Sequence, residues 1–390
     1  MPKVNIGLTN FLESPPDWAL TDRLGLLCNP ASVDERYRHS IDLIAQRFPG
    51  RLKAIFTPQH GLFAEKQANM IASAHTTYQD SPLPVFSLYG ETRKPTREMM
   101  AHIDTLLVDL QDVGTRVYTF IYTLSYCMEA AAQYDKRVVI LDRPNPLGGQ
   151  QIEGNCVDES LHSFVGRYAI PMRHGLTIGE FGQLINRHFQ INCRLTVMPM
   201  LGWRRSMYFD ETGLPWVGPS PNMPTLATAL VYPGQVLWEG TNVSEGRGTT
   251  LPFELFGAPY IDPATIGRAF DTLKVPGVQL RRVGFEPLAD KWQASLCQGF
   301  HLHVTQRSRY QPYRASLILL QAILNAHHRQ FAWTQPPYEY DYINLPIDLI
   351  LGSTEIRRSI EARIPVDELA ESWAGELKSY DEQRQPYLLY

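Results

Sequence analysis

Short apolar runs alternate with segments of helical spacing over the first half of the chain. The apolar runs are residues 22–28, 52–57, 84–88, 104–109, 137–142 and 195–199. They are too short for helices and are apolar on both faces, which is typical of buried parallel strands. The helical segments between them are residues 39–48, 95–102 and 177–189 and the apolar stretch that ends at Tyr134. This alternation predicts an α/β fold with a mainly parallel sheet and right-handed crossovers.

The pattern changes near residue 228, where we place a domain boundary. The boundary lies within residues 213–236, which are rich in proline and glycine but contain apolar anchors. This composition predicts a long ordered connection. The elements predicted after it are helices at 264–273, 313–327, 353–363 and 365–383 and strands at 278–285 and 300–305. We therefore expect an N-terminal domain of residues 1–228 and a smaller α+β C-terminal domain of residues 229–390.

Polar side chains follow several of the predicted strands at the point where each strand ends. They are Gln59 and His60, then Asp109 and Asp112, then Asp142, Arg143 and Asn145. The carboxyl ends of parallel strands share one edge, and ligands of open α/β sheets bind beyond that edge. We therefore expect these side chains to converge on a site, together with Gln111 and Arg116. In a purely structural interpretation, Asp112 or Thr115 caps the next helix and Arg116 pairs with an acid.

Composition argues against several classes of partner. The net charge of −4 gives no basic face, so neither nucleic acid nor an anionic membrane is expected as a partner. The five cysteines are far apart and form no Cys-x-x-Cys motif, which argues against a disulfide framework or a zinc site. No apolar stretch predicts a membrane span or a signal peptide, and we expect a cytoplasmic location.

Common cofactor and catalytic motifs are missing from the sequence. There is no phosphate-binding loop, no Gly-x-Gly-x-x-Gly after the first strand, no Gly-x-Ser-x-Gly and no His-Glu-x-x-His. His60 and His174 could hold a metal with Asp109 or Asp112, but their spacing does not require one. We expect neither a nucleotide cofactor nor a metal.

The polar residues that remain suit a carbohydrate ligand. Carboxylates, arginines and amides match hydroxyl and acetamido groups, and aromatic side chains can form apolar walls. Cleavage of a glycosidic bond needs a proton donor and also a base, a nucleophile or help from the substrate. The candidate carboxylates are Glu65, Glu91, Asp109, Asp112, Glu239 and Glu245. Glu239 and Glu245 belong to a glycine-rich segment that would let the backbone approach a ligand closely.

A set of longer motifs resembles one known family. They are Pro-Gln-His-Gly at 58–61, Ser-Leu-Tyr-Gly at 87–90, Asp-Leu-Gln-Asp-Val-Gly-Thr-Arg-Val-Tyr at 109–118, Leu-Asp-Arg-Pro-Asn-Pro-Leu-Gly-Gly at 141–149, Arg-His-Gly at 173–175, Pro-Ser-Pro-Asn-Met-Pro at 219–224 and Glu-Gly-Thr-Asn-Val-Ser-Glu-Gly-Arg-Gly-Thr at 239–249. In this order they resemble the exo-β-N-acetylmuramidase family, the NamZ-like or DUF1343 proteins. The resemblance extends from about residue 5 to the final Tyr-Leu-Leu-Tyr.

The resemblance implies a Rossmann-like N-terminal domain, a smaller C-terminal domain and an active site in the cleft between them. It implies release of terminal N-acetylmuramic acid from the non-reducing ends of peptidoglycan fragments, without a cofactor. The expected substrates are muropeptides and N-acetylmuramyl–N-acetylglucosamine, whereas the oligomeric state is not predicted. Many relatives are exported, but no signal peptide is predicted for this chain. It is therefore expected to act on wall fragments brought into the cell.

One position departs from the family pattern. Many relatives carry Pro-Glu-His-Gly where this chain has Gln59, and a neutral amide cannot act as a general acid or base. We therefore predict that Glu65, six residues further along the same loop, is the general acid. Asp112 or Asp109 is expected to orient a water molecule or the 2-acetamido group, whose oxygen could itself attack the anomeric carbon. His60 completes the predicted catalytic group.

The remaining polar residues are expected to bind substrate. Arg116, Arg143 and Arg247 are candidates for the lactyl carboxylate, because a guanidinium group matches a carboxylate with two parallel hydrogen bonds. The other expected binding residues are Gln59, Tyr118, Asn145, His174, Asn222, Glu239 and Glu245. Asn145 and Asn222 each lie beside a proline and could instead shape turns.

Two other functions stay open at this point. Gln59 favours a protein that binds a sugar or muropeptide without cleaving it. A metal- or phosphate-dependent hydrolase of another class is the other possibility.

Overall fold

The computed structural model describes residues 3–64, 66, 71, 75–78 and 82–390. Within these residues the N-terminal half contains strands β1 (Leu24–Cys28), β2 (Leu52–Thr57), β3 (Thr76–Thr77), β4 (Pro84–Ser87), β5 (Thr105–Asp109), β6 (Arg137–Leu141) and β7 (Arg194–Met198). These described strands form one sheet in the order β3-β4-β2-β1-β5-β6-β7. Neighbouring strands are parallel except at β3–β4. The predicted mainly parallel α/β sheet is confirmed.

The centre of the sheet forms because its strands are apolar throughout. All residues of β1 and β5 are buried, so both faces of these strands must be covered. The helices of this half are α1 (Gly7–Glu13), α2 (Ser40–Arg47), α3 (Arg97–Ala101), α4 (Phe120–Gln133) and α5 (Ile178–Arg187). From β4 to β7 the strands are arranged as in a Rossmann-like sheet. The chain adds strands on one side of β1 first and then on the other side, beginning with β5, so the order of addition reverses between β1 and β5.

The C-terminal half is smaller and mixes helices with an antiparallel sheet. Its elements are α6 (Leu226–Gln235), β8 (Leu255–Ala258), α7 (Pro263–Thr272), β9 (Val278–Phe285), β10 (Cys297–Val304), α8 (Pro312–Ala326), α9 (Pro346–Leu351), α10 (Thr354–Glu361), α11 (Val366–Ser372) and α12 (Ala374–Arg384). Strand β10 pairs with both β8 and β9 in antiparallel register. Among the described residues, no helix is both long and apolar enough to cross a membrane.

Helix α6 was not expected, because residues 213–236 were predicted to be a connection. The Thr225 hydroxyl caps the helix by accepting a hydrogen bond from the Thr228 amide, and Pro233 lies inside it. Gly234 packs so closely on α8 that a Cβ atom there would lie 2.0 Å from the Pro312 carbonyl oxygen. Tertiary packing therefore selects the glycine that made this segment resemble a loop.

Candidate active site

A pocket lies beyond the carboxyl edge of the parallel sheet, where the two halves of the chain meet. It has about 460 Å³ of empty space, part of it open to solvent. Its charged and amide-bearing lining residues are Gln59, His60, Asn222, Glu239, Arg247 and Glu339. Gln59 and His60 directly follow β2, whereas Glu239 lies in a short 3₁₀ helix and Glu339 in an irregular segment of the C-terminal half. The sheet thus provides one wall and the C-terminal half provides the other.

The turn after β2 fixes the orientation of Gln59 and His60. The Thr119 hydroxyl donates to Gln59 Oε1 at 2.9 Å, which leaves the amide nitrogen to donate to Glu339 Oε1 at 3.2 Å. His60 has a left-handed backbone with φ of 79°, and its Nδ1 lies 2.6 Å from the Lys66 carbonyl oxygen. A carbonyl oxygen only accepts, so Nδ1 of His60 carries the proton.

Glu339 is a buried carboxyl group that the sequence interpretation did not include. Besides the bond from Gln59, its Oε2 accepts a hydrogen bond from the Tyr89 hydroxyl at 2.6 Å. Burial raises the pKa of Glu339, the bonds from Tyr89 and Gln59 partly offset this, and the neighbouring Glu239 raises it further. The net direction is upward, which favours a protonated Glu339.

The Glu339 segment is held by aromatic and cationic contacts. Arg93 donates to the Glu339 carbonyl oxygen at 3.3 Å. The Arg93 guanidinium also lies 4.2 Å from the ring centres of Phe164 and Tyr340. Glu339 and Tyr340 both have positive φ, at 47° and 68°. These contacts hold a conformation that non-glycine residues adopt rarely.

Glu239 is a second buried carboxylate in the pocket wall. Its Oε1 accepts a hydrogen bond from Arg247 Nη2 at 2.6 Å, and its Oε2 accepts one from the Tyr338 hydroxyl at 2.6 Å. Tyr338 precedes Glu339, so one short segment contacts Glu239 with one residue and presents a carboxyl group with the next. The two carboxyl groups of the pocket are therefore coupled through residues 338–339.

Behind Glu239 the charges alternate. Arg247 Nε lies 3.2 Å from Glu245 Oε1, and Lys291 Nζ lies 2.8 Å from Glu245 Oε2. Burial alone would raise the pKa of Glu245, but Lys291 and Arg247 outweigh it and lower the pKa. Burial likewise opposes the charge of Arg247, yet Glu239 and Glu245 raise its pKa. Glu245 and Arg247 therefore stay ionised, and Arg247, a predicted ligand of the lactyl carboxylate, already pairs with two carboxylates.

Asp109 and Arg143 lie outside the pocket and pair with each other. Arg143 Nε and Nη2 donate to the two Asp109 carboxylate oxygens at 2.6 and 2.9 Å, and Asp109 is fully buried. Arg143 Nη2 also donates to the Val33 carbonyl oxygen at 3.0 Å. This bidentate pair joins the ends of β5 and β6. The geometry is that of a structural ion pair and does not match the predicted roles in catalysis and carboxylate binding.

Asp112, His174 and Asn145 are also not among the residues that line the pocket. Asp112 Oδ2 accepts a hydrogen bond from the Gly114 amide at 2.7 Å and lies 3.4 Å from His174 Nε2. Asn145 accepts from the Leu147 amide at 2.9 Å and donates to a carbonyl oxygen at 2.9 Å. The contacts of Asn145 fit the alternative interpretation, in which it shapes a turn. The alternative role of Asp112 as the cap of the next helix is not seen in the described residues, because α4 begins after Thr119 without a side-chain cap and the Asp112 carboxylate binds its own turn.

Arg116 is fully buried and connects the two halves of the chain. Its guanidinium donates to the carbonyl oxygens of Asn155 and Ile170 in the first half and of Ile350 and Leu351 in the second. A guanidinium committed to backbone carbonyls inside the protein is not placed to bind a substrate carboxylate. The structural interpretation of Arg116 therefore fits, although its partners are carbonyl groups and not an acid.

Of the predicted site residues, the pocket brings together Gln59, His60, Tyr118, Asn222, Glu239 and Arg247. Glu245 lies behind Arg247. Glu65, the predicted general acid, lies outside the described residues. In the part of the chain that the structure describes, no cluster of three or more His, Cys, Asp or Glu side chains could hold a metal ion.

Tyr232, Tyr338 and Glu339 line the pocket but were missed by the sequence interpretation. Glu339 lies in Tyr-Glu-Tyr-Asp-Tyr, residues 338–342, which follows two prolines. Alternating aromatic and acidic residues in a segment without periodicity were a usable signal, since both residue types suit a sugar site.

Comparisons with known proteins agree along the whole chain. Residues 24–227 match the family model of the N-terminal region of exo-β-N-acetylmuramidase NamZ, and residues 230–390 match that of its C-terminal region. The chain is 40% identical over 390 residues to the peptidoglycan β-N-acetylmuramidase NamZ of Bacillus subtilis (strain 168), covering 100% of this chain and 92% of that protein.

Solved structures give the same result. A crystal structure of a DUF1343 family protein from Bacteroides fragilis NCTC 9343 superposes with a TM-score of 0.91 at 31% identity. A second DUF1343 protein of the same strain gives a TM-score of 0.75 at 29% identity. Each match covers 100% of this chain and 99% of the other.

Proposed function

The chain belongs to the exo-β-N-acetylmuramidase NamZ family, and we infer that it is a glycoside hydrolase that releases N-acetylmuramic acid from the non-reducing end of peptidoglycan fragments. The observation that carries this inference to the chain itself is the presence of Glu239 and Glu339 in one pocket.

We propose that Glu239 acts on the sugar as an ionised carboxylate. Its Oε1 accepts a hydrogen bond from the Arg247 guanidinium at 2.6 Å, and a positive charge this close stabilises a carboxylate. Glycosidases need such a group to orient a water molecule or the 2-acetamido group at the anomeric carbon. This assigns to Glu239 the orienting role that the sequence had suggested for Asp109 or Asp112.

We propose that the lactyl carboxylate meets the side of the pocket formed by His60, Asn222 and Arg247. Asn222 can donate hydrogen bonds, Nε2 of His60 can donate when the ring carries a second proton, and Arg247 supplies positive charge that is shared with Glu239. In this proposal Arg116 and Arg143 do not bind the lactyl carboxylate, because both guanidinium groups are committed inside the protein.

The arrangement in two domains and the location are part of the same proposal. A boundary near residue 228 with the active site in the cleft is supported by pocket residues from both sides of that position, such as Gln59 and Glu339. The expected substrates are oligosaccharide fragments of peptidoglycan. Action in the cytoplasm stays a prediction.

The test is product analysis with two matched disaccharides. The purified protein is incubated with β-linked N-acetylmuramyl–N-acetylglucosamine and with the disaccharide of reversed order. We expect free N-acetylmuramic acid from the first only, at a rate that a chelator does not change. Ligand-induced protection against unfolding without any release would favour the sugar-binding alternative, and loss of activity with the chelator would favour a metal-dependent hydrolase.

A further inference from the structure

Glu339 is the pocket carboxyl group best placed to hold a proton. It is 5% exposed, and its two oxygens contact the hydroxyl of Tyr89 and the amide of Gln59. Both partners are neutral. Arg93 binds the backbone carbonyl oxygen of Glu339 and not the carboxyl group. Glu239 differs, since a guanidinium lies 2.6 Å from its carboxylate.

Two carboxyl groups that share a pocket do not ionise equally. A like charge nearby disfavours the second charge, so the group with weaker cationic support takes up the proton. Here Arg247 supports the charge on Glu239, and the neighbouring Glu239 opposes a charge on Glu339. Two carboxyl groups in such unequal electrostatic surroundings are the usual signature of an acid and its ionised partner.

We propose that Glu339 is the catalytic proton donor to the leaving sugar, and that Gln59 and Tyr89 are the residues that position it. The proposal rests on the glycosidase activity inferred above and names the acid of that same site. It gives to Glu339 the role that the sequence had suggested for Glu65.

In this step the glycosidic bond is cleaved with the help of a proton from Glu339. The bond between the anomeric carbon and the glycosidic oxygen breaks, its electron pair stays on the oxygen, and the proton of Glu339 moves to that oxygen. The anomeric carbon then gains an oxygen from water, directly or after attack by the 2-acetamido oxygen. The remaining proton of that water returns to the enzyme, so one water molecule is consumed for each bond broken.

Gln59 acquires a specific purpose in this arrangement. Thr119 fixes its amide so that the NH₂ group, and not the oxygen, faces Glu339. A glutamate at position 59 would place another carboxyl group about 3.2 Å from Glu339 and compete with it for the proton. An amide at this position therefore lets Glu339 act as the acid without a competing carboxylate.

The pH dependence follows from the groups that face Glu339. They are Tyr89, Arg93, Tyr232, Glu239 and Tyr338. A general acid must be protonated, so activity falls as pH rises through its pKa. The bond from the Tyr89 hydroxyl favours the ionised carboxylate, and its removal raises the pKa of Glu339. Tyr89→Phe should therefore move the basic limb of the kcat/KM profile to higher pH.

The experiment compares two leaving groups in wild type and Glu339→Gln. One substrate is N-acetylmuramyl–N-acetylglucosamine, whose leaving sugar needs a proton. The other is the 2,4-dinitrophenyl N-acetylmuramide, whose leaving group does not. We expect Glu339→Gln to lose ~10²–10⁴-fold in kcat/KM on the disaccharide and less than about tenfold on the dinitrophenyl substrate. The matched control is Glu254→Gln, which changes a buried glutamate that binds Thr228 outside this pocket. Its kcat/KM should stay at the wild-type value on both substrates.

The outcomes separate this inference from the activity on which it rests. Equal losses on both substrates, or a loss confined to the disaccharide in Glu65→Gln but not in Glu339→Gln, would overturn the role of Glu339 and leave the glycosidase intact. A folded wild type that cleaves neither substrate would overturn the activity and this inference together. If Glu339→Gln does not fold, the Tyr89→Phe profile decides, and an unmoved basic limb would contradict the proposal.

Discussion

The carboxyl groups at the sheet edge and those in the pocket are all buried, but their surroundings differ. Asp109 is neutralised by both arms of Arg143, and Asp112 is bound by the backbone of its own turn. Glu339 receives both partners from distant segments, and Glu239 receives one from Arg247 in its own segment and one from the distant Tyr338. Both carboxyl groups line a space that a ligand can enter. Polar residues at the ends of parallel strands can therefore serve to join the strands, while the chemistry is supplied by segments that pack above them.

The largest expected effect is on stability, from breaking the pair at the sheet edge. Asp109→Asn leaves the buried Arg143 without its charge partner, and loss of one member of such a pair typically costs about 3–5 kcal/mol. Chemical denaturation should show this loss, while kcat per folded molecule stays unchanged. A stable Asp109→Asn protein with no turnover would return Asp109 to the chemistry.

The opposite pattern is expected at the pocket. Glu239→Gln removes the charge that faces Arg247 and the sugar, and we expect kcat for N-acetylmuramic acid release to fall by at least ~10²-fold, about 2.7 kcal/mol of transition-state stabilisation. Steady-state kinetics measure the loss, and circular dichroism checks the fold. Asp112→Asn is the comparison from the sheet edge, and it should keep wild-type kcat. If the two variants exchanged behaviour, the distinction drawn here would be wrong.

Glu153 extends the comparison to a buried carboxyl group that should titrate in stability and not in catalysis. It accepts a hydrogen bond from the Arg314 amide, and burial raises its pKa from 4.5 to about 7. A raised folded-state pKa means that its contribution is present below pH 4.5 and is lost as pH rises towards 7. The free energy of unfolding of Glu153→Gln should therefore increase relative to that of wild type by roughly 2 kcal/mol between pH 5 and pH 8.

That gain is measured by denaturant titration of both proteins at the two pH values. A difference between variant and wild type that does not change with pH would show that Glu153 keeps an ordinary pKa. A shift of the kcat profile in Glu153→Gln would place it in the catalytic machinery, against this account.

The smallest expected effect concerns the hydrogen bond that joins the two pocket carboxyl segments. Tyr338→Phe removes the hydroxyl that donates to Glu239 at 2.6 Å, and a bond to a charged group of ~1.5 kcal/mol corresponds to about a tenfold loss in kcat. Tyr342→Phe, a tyrosine of the same segment that is 69% exposed, is the control and should be unaffected. Equal effects in both variants would point to a general disturbance of the loop.

Most of the fold could be predicted because its signals are local. The predicted strand 52–57 matches β2, and the predicted helix 95–102 contains α3, which Thr96 caps. Helix α6 was missed because Pro233 and Gly234 suggest a loop, whereas packing on α8 overrides that preference. The predicted helix 365–383 is two helices that meet at Trp373.

Strand periodicity alone could predict the candidate site only on the side that the sheet provides, whereas Glu239 and Arg247 were predicted from their glycine-rich segment and the family motif. Gln59 and His60 follow a strand, so their position at the sheet edge could be inferred from periodicity. The partner of Gln59 is 280 residues away in the sequence and lies in a segment without periodicity. Such a contact is fixed by tertiary packing alone, and no spacing rule leads from one residue to the other.

The most direct test of the account is a crystal structure with N-acetylmuramic acid bound. We predict that the sugar ring occupies the pocket, with its anomeric carbon within reach of the carboxyl groups of both Glu239 and Glu339 and its lactyl carboxylate towards His60 and Arg247. Binding of the sugar against Asp112 and Asn145 at the sheet edge, with the pocket left empty, would contradict the central claim that the chemistry belongs to the pocket.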